Sequence, residues 1–119
     1  EKIVKVSLML IDYDSNNISV LENLAAAYLD LYDQANSLKI YRKLTSLNSQ
    51  NSRYLIEISK IYLDIGEYDK SLNFAARGLQ IEESLSDKNG MVDTLYNIGY
   101  IHFHKNNYDN AIKYFNKCI

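Results

Sequence analysis

Residues 55–79 read LIEISKIYLDIGEYDKSLNFAARGL, and this stretch decides the architecture. Leu55, Ile58 and Tyr62 recur at steps of three and four, the period of one helix face. Leu72, Ala75 and Leu79 do the same further on. Between the two series lies Asp64-Ile65-Gly66-Glu67, a tight turn. The stretch is therefore expected to form two amphipathic helices, about 53–64 and 68–83, opened by a cap at Asn51 or Ser52. The six apolar residues just named form their shared seam.

The rest of the chain repeats this unit. A shift of 34 residues carries Leu21 to Leu55, Leu24 to Ile58, Tyr28 to Tyr62, Ser37 to Ser71 and Leu38 to Leu72. A shift of 40 carries Leu55 to Leu95, Ile58 to Ile98, Tyr68 to Tyr108, Ser71 to Ala111 and Leu72 to Ile112. The six extra residues fall in the polar run Glu82-Glu83-Ser84-Leu85-Ser86-Asp87-Lys88-Asn89-Gly90. Self-similarity at such a period marks a helical-repeat array, in which each unit buries its apolar face on its neighbours.

The unit resembles the tetratricopeptide repeat, a helix–turn–helix of about 34 residues with a signature of small and aromatic residues. Its positions are met by Ile58, Ser59, Tyr62, Gly66, Tyr68, Ser71, Ala75 and Gly78 in the middle copy. Leu24-Ala25, Tyr28 and Tyr41 meet them in the first copy, which closes on Leu47-Asn48-Ser49-Gln50-Asn51. The third copy supplies Ile98-Gly99, Tyr108, Ala111 and Phe115. The resemblance implies an all-α fold, a right-handed superhelical array of antiparallel helix pairs with about seven helices. It divides the chain into a half repeat (1–17, second helix only) and three repeats at 18–51, 52–85 and 86–119. The third is of the longer, 40-residue type, without a capping helix after it. The chain is accordingly expected to be a piece of a longer protein.

In chain order, Ile3, Val6, Leu10 and Tyr13 place a helix over 2–13. Asp12-Tyr13-Asp14-Ser15-Asn16 opens like a calcium loop, but that loop needs Gly and Glu where Asn17 and Asn23 stand, so a polar turn is expected. Asn17-Ile18-Ser19 spells a glycosylation acceptor, for which chance is the simpler explanation. Ser19 and Glu22 form a capping-box pattern opening a helix to about Asp30. A helix over 34–47 is expected to bury Leu38, Tyr41 and Leu44. The third unit opens on Asp87, giving a lengthened first helix to His104 with Leu95, Ile98 and His102 inward. Its last helix runs Tyr108 to Ile119, with Tyr108, Ala111, Ile112 and Phe115 inward. Two departures from the family pattern stand out. Tyr32 occupies the place of Gly66, where a positive φ is expected, so the first turn is expected to differ from the second. His102 replaces the recurring tyrosine of Tyr28 and Tyr62.

Composition narrows the function classes. The chain is 47% hydrophobic and 24% charged, with 13 Lys and Arg against 15 Asp and Glu. That balance suits a globular domain and gives no basic cluster for nucleic acid. No run reaches the ~18 apolar residues of a membrane span, and no cleavable signal pattern occurs. The compartment stays open, with the cytoplasm the default. Catalysis finds no support: His102 and His104 lie two apart and do not share a helix face. Cys118 is alone, and no phosphate loop or nucleophile elbow occurs. No cofactor or metal is expected.

The resemblance implies a concave groove lined by the first helix of each repeat, where a peptide or protein would bind. Projected onto this chain, it comprises Glu22, Ala26, Leu29 and Asp30, then Arg53, Ile56, Lys60, Leu63 and Asp64, then Tyr96, Asn97, Tyr100, Phe103 and His104. Tyr96, Tyr100 and Phe103, spaced i, i+4, i+7, form an aromatic stripe apart from the inward residues. Either the stripe receives an extended peptide or a helix, or it packs on the array's own second helices. The family's two-carboxylate clamp would need Lys, Asn and Arg where Glu22, Ala26, Glu57, Asp93 and Asn97 stand; its charge is reversed here. Two functions follow as expectations. One is a non-catalytic protein-interaction module in a regulatory or signalling protein, and the other is a structural spacer or oligomerisation scaffold. In isolation the uncapped C-terminal helix is expected to self-associate or to dock on the concave face of a neighbour.

Overall fold

The computed structural model describes residues 17–119. The helix expected over 2–13 and the calcium-like loop lie outside these residues. Among the described residues there are six α-helices and no strand. They are α1 (Ile18–Asp30), α2 (Gln34–Leu47), α3 (Ser52–Ile65), α4 (Tyr68–Ser84), α5 (Lys88–His104) and α6 (Tyr108–Asn116). The chain divides between Ser49 and Gln50 into two compact units. The first contains the antiparallel pair α1–α2, and the second contains α3 to α6, each packed on the next.

Side-chain caps set most of the helix starts. Asn17, Asp33, Asn51 and Asp87 each accept a backbone N–H of the first turn that would otherwise lack a partner. The cap of α1 is Asn17, whose Oδ1 accepts from Val20 N at 3.1 Å. The capping box expected at Ser19 is therefore not used: asparagine two residues earlier is an equally good cap, and Ser19 becomes part of the helix.

Four turns share one geometry. Tyr32, Gly66, Ser86 and Asn106 have φ of 57°, 90°, 55° and 64°. Each donates its N–H to the carbonyl three residues back, to Leu29, Leu63, Glu83 and Phe103 respectively. The next residue donates five back, to Tyr28, Tyr62, Glu82 and His102. This is the left-handed cap that closes a helix by satisfying its last carbonyls. The expectation that Tyr32 would force a different first turn is corrected. Paired hydrogen bonds and the Asp33 cap hold Tyr32 in the left-handed region, with its side chain 90% exposed.

Each helix pair meets across small side chains. Ser37 Oγ donates to the Ala25 carbonyl at 3.0 Å, joining α2 to α1. Between α3 and α4 the contact is reciprocal: Ser59 Oγ donates to the Ser71 carbonyl at 2.8 Å, and Ser71 Oγ to the Ser59 carbonyl at 2.7 Å. Between α5 and α6 the same places hold Gly99 and Ala111. A Cβ on Gly99 would lie 2.7 Å from the Phe115 ring and 3.3 Å from the Ala111 carbonyl.

The apolar seam follows this contact. Leu21, Leu24 and Leu44 are fully buried in the first unit, and Leu55, Ile58, Tyr62 and Ala75 are buried in the second. Leu38, Leu72 and Leu79, expected inside, are half-buried. In α5 the inward series is Thr94, Ile98 and Ile101, while Leu95 and His102 are half-buried. Because α5 packs on both α4 and α6, its covered face is wider than a simple seam and takes in Ile101. Tyr108 and Ile112 correct the expectation for α6: they are 53% and 58% exposed. Among the described helices α6 is covered on one side only, by α5, and Ala111 takes that side. This helix ends at Asn116 rather than Ile119, where i→i−3 bonds from Cys118 and Ile119 tighten the last turn.

At the place of the recurring tyrosine, the His102 ring stacks on Tyr114, centroids 5.5 Å apart. Its Nδ1 is buried without a hydrogen-bond partner. Burial first, and the Lys105 charge second, hold His102 below the ordinary histidine value of 6.5.

Three outcomes follow from this packing. Tyr32→Gly should stabilise the chain by about 1 kcal/mol in urea denaturation, because glycine enters the left-handed region without the side-chain penalty; a lower midpoint would contradict the turn. Ser71→Ala should cost about 1 kcal/mol for a lost hydrogen bond, but Ser71→Val about 2–4 kcal/mol because the helices must also separate. Equal effects would mean the crossing is not tight. The folded state prefers neutral His102, so its contribution is complete above pH 6.5 and is lost as the pH falls below that toward the depressed folded value. Melting of the parent should therefore drop more between pH 7 and 5 than that of His102→Tyr, and parallel curves would refute it.

Candidate functional site

The second unit holds an open groove between α3 and α5, floored in part by α4. It has two adjoining compartments that share Lys60 and Asn97. One, of about 360 Å³, is lined by Lys60, Leu63, Asp64, Tyr96, Asn97 and Tyr100. The other, of about 290 Å³, is lined by Ser52, Arg53, Ile56, Glu57, Lys60 and Glu82 on one side and Asp87, Gly90, Asp93, Thr94 and Asn97 on the other.

Most residues projected from the repeat pattern for this unit thus meet around one groove: Arg53, Ile56, Lys60, Leu63, Asp64, Tyr96, Asn97 and Tyr100. Helical spacing explains it, since Arg53, Ile56, Lys60 and Leu63 repeat at three and four along α3, and Tyr96 and Tyr100 at four along α5. Phe103 and His104 do not line it. Phe103 meets Tyr108 edge-on at 5.7 Å, and His104 meets Tyr100 edge-on at 4.4 Å. Glu22, Ala26, Leu29 and Asp30 belong to the first unit, where Ala26 and Asp30 are exposed and Glu22 and Leu29 half-buried.

The aromatic compartment combines exposure with order. Tyr96 and Tyr100 are 54% and 40% exposed. Their rings stack with centroids 6.3 Å apart and planes 12° from parallel. Tyr96 also leans on Phe115 of α6 at 5.5 Å. The stripe is therefore braced from behind by the second helix while presenting ring surface to the groove. The pair is thus exposed to the groove and, through Tyr96, packed on the second helix of its own repeat.

The other compartment is acidic. Glu57, Glu82, Asp87 and Asp93 line it against Arg53 and Lys60. Lys60 Nζ lies 3.7 Å from Glu57 Oε1, and the Arg53 guanidinium lies over the Tyr54 ring at 5.7 Å. Ser52, Glu57, Glu82, Asp87, Gly90, Asp93 and Thr94 were not among the expected groove residues, and Glu82 escaped because it comes from a second helix. The signal was available: Ala75, Gly78, Leu79 and Glu82 share one helix face, and that face is inward. Among the described residues no group of three or more His, Cys, Asp or Glu is arranged to hold a metal ion, and no helix is long and apolar enough to cross a membrane.

Comparison with known proteins bears on this fold. Two tetratricopeptide-repeat family models match the sequence, at residues 18–51 and 92–119, together just over half of the chain. No curated protein sequence matches. Among solved structures, a crystal structure of MamA superposes with a TM-score of 0.83 at 19% identity, over 97% of this chain and 60% of that one. The N-terminal domain of stress-induced protein-1 from C. elegans gives 0.76 at 12% identity, over 99% of this chain and 85% of that one. YrrB, described as a tetratricopeptide-repeat protein with an unusual peptide-binding site, gives 0.71 at 20% identity, over 87% of this chain and 50% of that one. The chain thus spans about three-fifths of the MamA chain. With the small-residue crossings, the repeated left-handed caps and the matching family models, the chain belongs to the tetratricopeptide-repeat family.

Proposed function

We propose that this chain is a non-catalytic protein-interaction module that takes a peptide or protein segment into the groove between α3 and α5. The observation that carries this reading is the stacked, half-exposed Tyr96–Tyr100 pair beside Leu63 in an open groove. Aromatic rings held by packing lose little freedom on binding and supply apolar area with a polar tip, which is what binding hot spots need. Arg53, Lys60, Asp64 and Asn97 supply polar contacts along the same groove. Glu22, Ala26, Asp30, Phe103 and His104 are proposed as further contact residues on the family pattern alone. Likeness to YrrB supports peptide recognition as a use of this fold.

The module is proposed to serve within a larger regulatory or signalling protein, with repeats at 18–51, 52–85 and 86–119 and a half repeat at 1–17. The exposed Ile112 supports self-association as a further use of α6. A spacer with an idle groove would need no ordered aromatic pair in it.

Selection of binders from a random peptide library, followed by fluorescence anisotropy on one selected peptide, tests this function. Tyr96→Ala/Tyr100→Ala should weaken binding by more than about tenfold while the protein stays folded by circular dichroism. A peptide bound equally well by the double variant, or no selected peptide at all, would count against the groove.

A further inference from the structure

The acidic compartment has one feature that its own residues do not satisfy. Glu82 is only 4% exposed, yet it forms no ion pair among the described residues. Its Oε2 accepts one hydrogen bond, from Ser52 Oγ at 3.0 Å. Its Oε1 is buried with no partner. Withdrawing a carboxylate from water is costly unless a cation or enough donors replace the lost hydration. One serine hydroxyl is too little.

A second carboxylate stands beside it. Asp87 caps α5, with Oδ1 accepting from Gly90 N at 3.0 Å. A Cβ placed on Gly90 would lie 2.3 Å from Asp87 Oδ2 and 2.9 Å from Glu82 Oε2. The two oxygens are therefore no farther apart than the sum of those distances, and glycine is the residue that leaves them room. Asp93 lines the same compartment one turn on. Like charges so placed repel, and the positive end of α5, with Arg53 and Lys60 set against four carboxylates in the same lining, compensates them only in part. Lys60 stands 3.7 Å from Glu57 and offers Glu82 no ion pair.

We propose that the compartment lined by Glu82, Asp87 and Asp93 receives a lysine or arginine side chain of a partner polypeptide. This specifies the partner of the groove and rests on the peptide-binding function proposed above. The volume of about 290 Å³ admits a side chain of that size. A guanidinium or ammonium there brings several donors to carboxylate oxygens in a semi-enclosed setting, where charge-assisted hydrogen bonds are strongest. The neighbouring Tyr96–Tyr100 compartment, joined through Lys60 and Asn97, would hold the adjacent residues of the same segment. A basic residue beside an apolar or aromatic one is the sequence this groove fits.

The test is an amide-resolved NMR titration of the 119-residue chain with Nα-acetyl-arginine amide and Nα-acetyl-lysine amide. Nα-acetyl-citrulline amide, which has the shape of arginine without its charge, is the control. One or both cationic probes should move the signals of Ser52, Gly90 and Asp93 saturably, the citrulline probe should not, and Glu82→Gln should weaken the response by about tenfold. Asp93→Asn, at an exposed position, gives the same readout should Glu82→Gln fail to fold. Equal shifts with citrulline, no shifts with either cationic probe, or shifts unchanged in the variants would overturn the proposal. Matching shifts and competition by calcium chloride would assign the cluster to metal ions and also overturn it. Failure here is separable from failure of the peptide-binding function. A selected peptide lost on Tyr96→Ala/Tyr100→Ala but indifferent to its basic residues would leave that function standing without this one.

Discussion

The close crossing of each helix pair over small side chains is the constraint on which the rest depends. Ala25 with Ser37, Ser59 with Ser71, and Gly99 with Ala111 occupy equivalent places in three helix pairs. In two of them a serine hydroxyl donates to a carbonyl of the facing helix, so the contact is polar as well as tight. A buried hydroxyl must find such a partner, and the facing backbone is the nearest one available. Larger side chains would push the helices apart and unseat the leucine, isoleucine and tyrosine seam that follows at three- and four-residue steps.

That crossing also determines what the groove is made of. Once α4 is held tightly against α3, and α5 against both α4 and α6, the outward faces of α3 and α5 line a common opening. Phe115 then comes up behind Tyr96, which keeps an exposed ring in one orientation. At the other end, the inward face of α4 delivers Glu82 beneath the N-terminus of α5. The groove therefore has an aromatic end built by α5 on α6 and an acidic end built by α4 on α5. Its character differs from the basic clamp that part of the family uses for carboxylate ligands, and it suits a ligand of the opposite charge.

Much of this was legible in the sequence because a repeat states each position several times. Ser71 alone says little; Ser71 aligned with Ser37 and Ala111 identifies a crossing point. Eight of the residues of α3 and α5 that line the groove were legible for the same reason, whereas Ser52, Glu57, Gly90, Asp93 and Thr94 were not projected onto it. What escaped was whatever depends on a single copy. Tyr32 looked like a broken turn because propensity speaks against φ > 0, whereas two backbone hydrogen bonds and a following cap decide the conformation. Ser19 carried a capping pattern, but Asn17 took the cap, a choice that local patterns leave open. Ile101 and Glu82 were missed because α4 and α5 are buried against two neighbours each, so their inward faces are broader than one seam predicts. Tyr108 and Ile112 failed in the opposite sense, since α6 has fewer neighbours among the described helices than the pattern assumes.

A binding groove between α3 and α5 requires that Tyr96 and Tyr100 present ordered ring surface to solvent. Incorporating 3-fluorotyrosine, assigning the Tyr41, Tyr54, Tyr96 and Tyr100 signals through Tyr→Phe variants and adding a neutral gadolinium chelate would read that directly by ¹⁹F NMR. Strong relaxation of Tyr96 and Tyr100, with Tyr41 and Tyr54 spared, is the result expected from their exposures of 54% and 40% against 8% and 2%. Protection of Tyr96 and Tyr100 to the level of Tyr54 would mean that the groove is closed in solution, and would contradict the account.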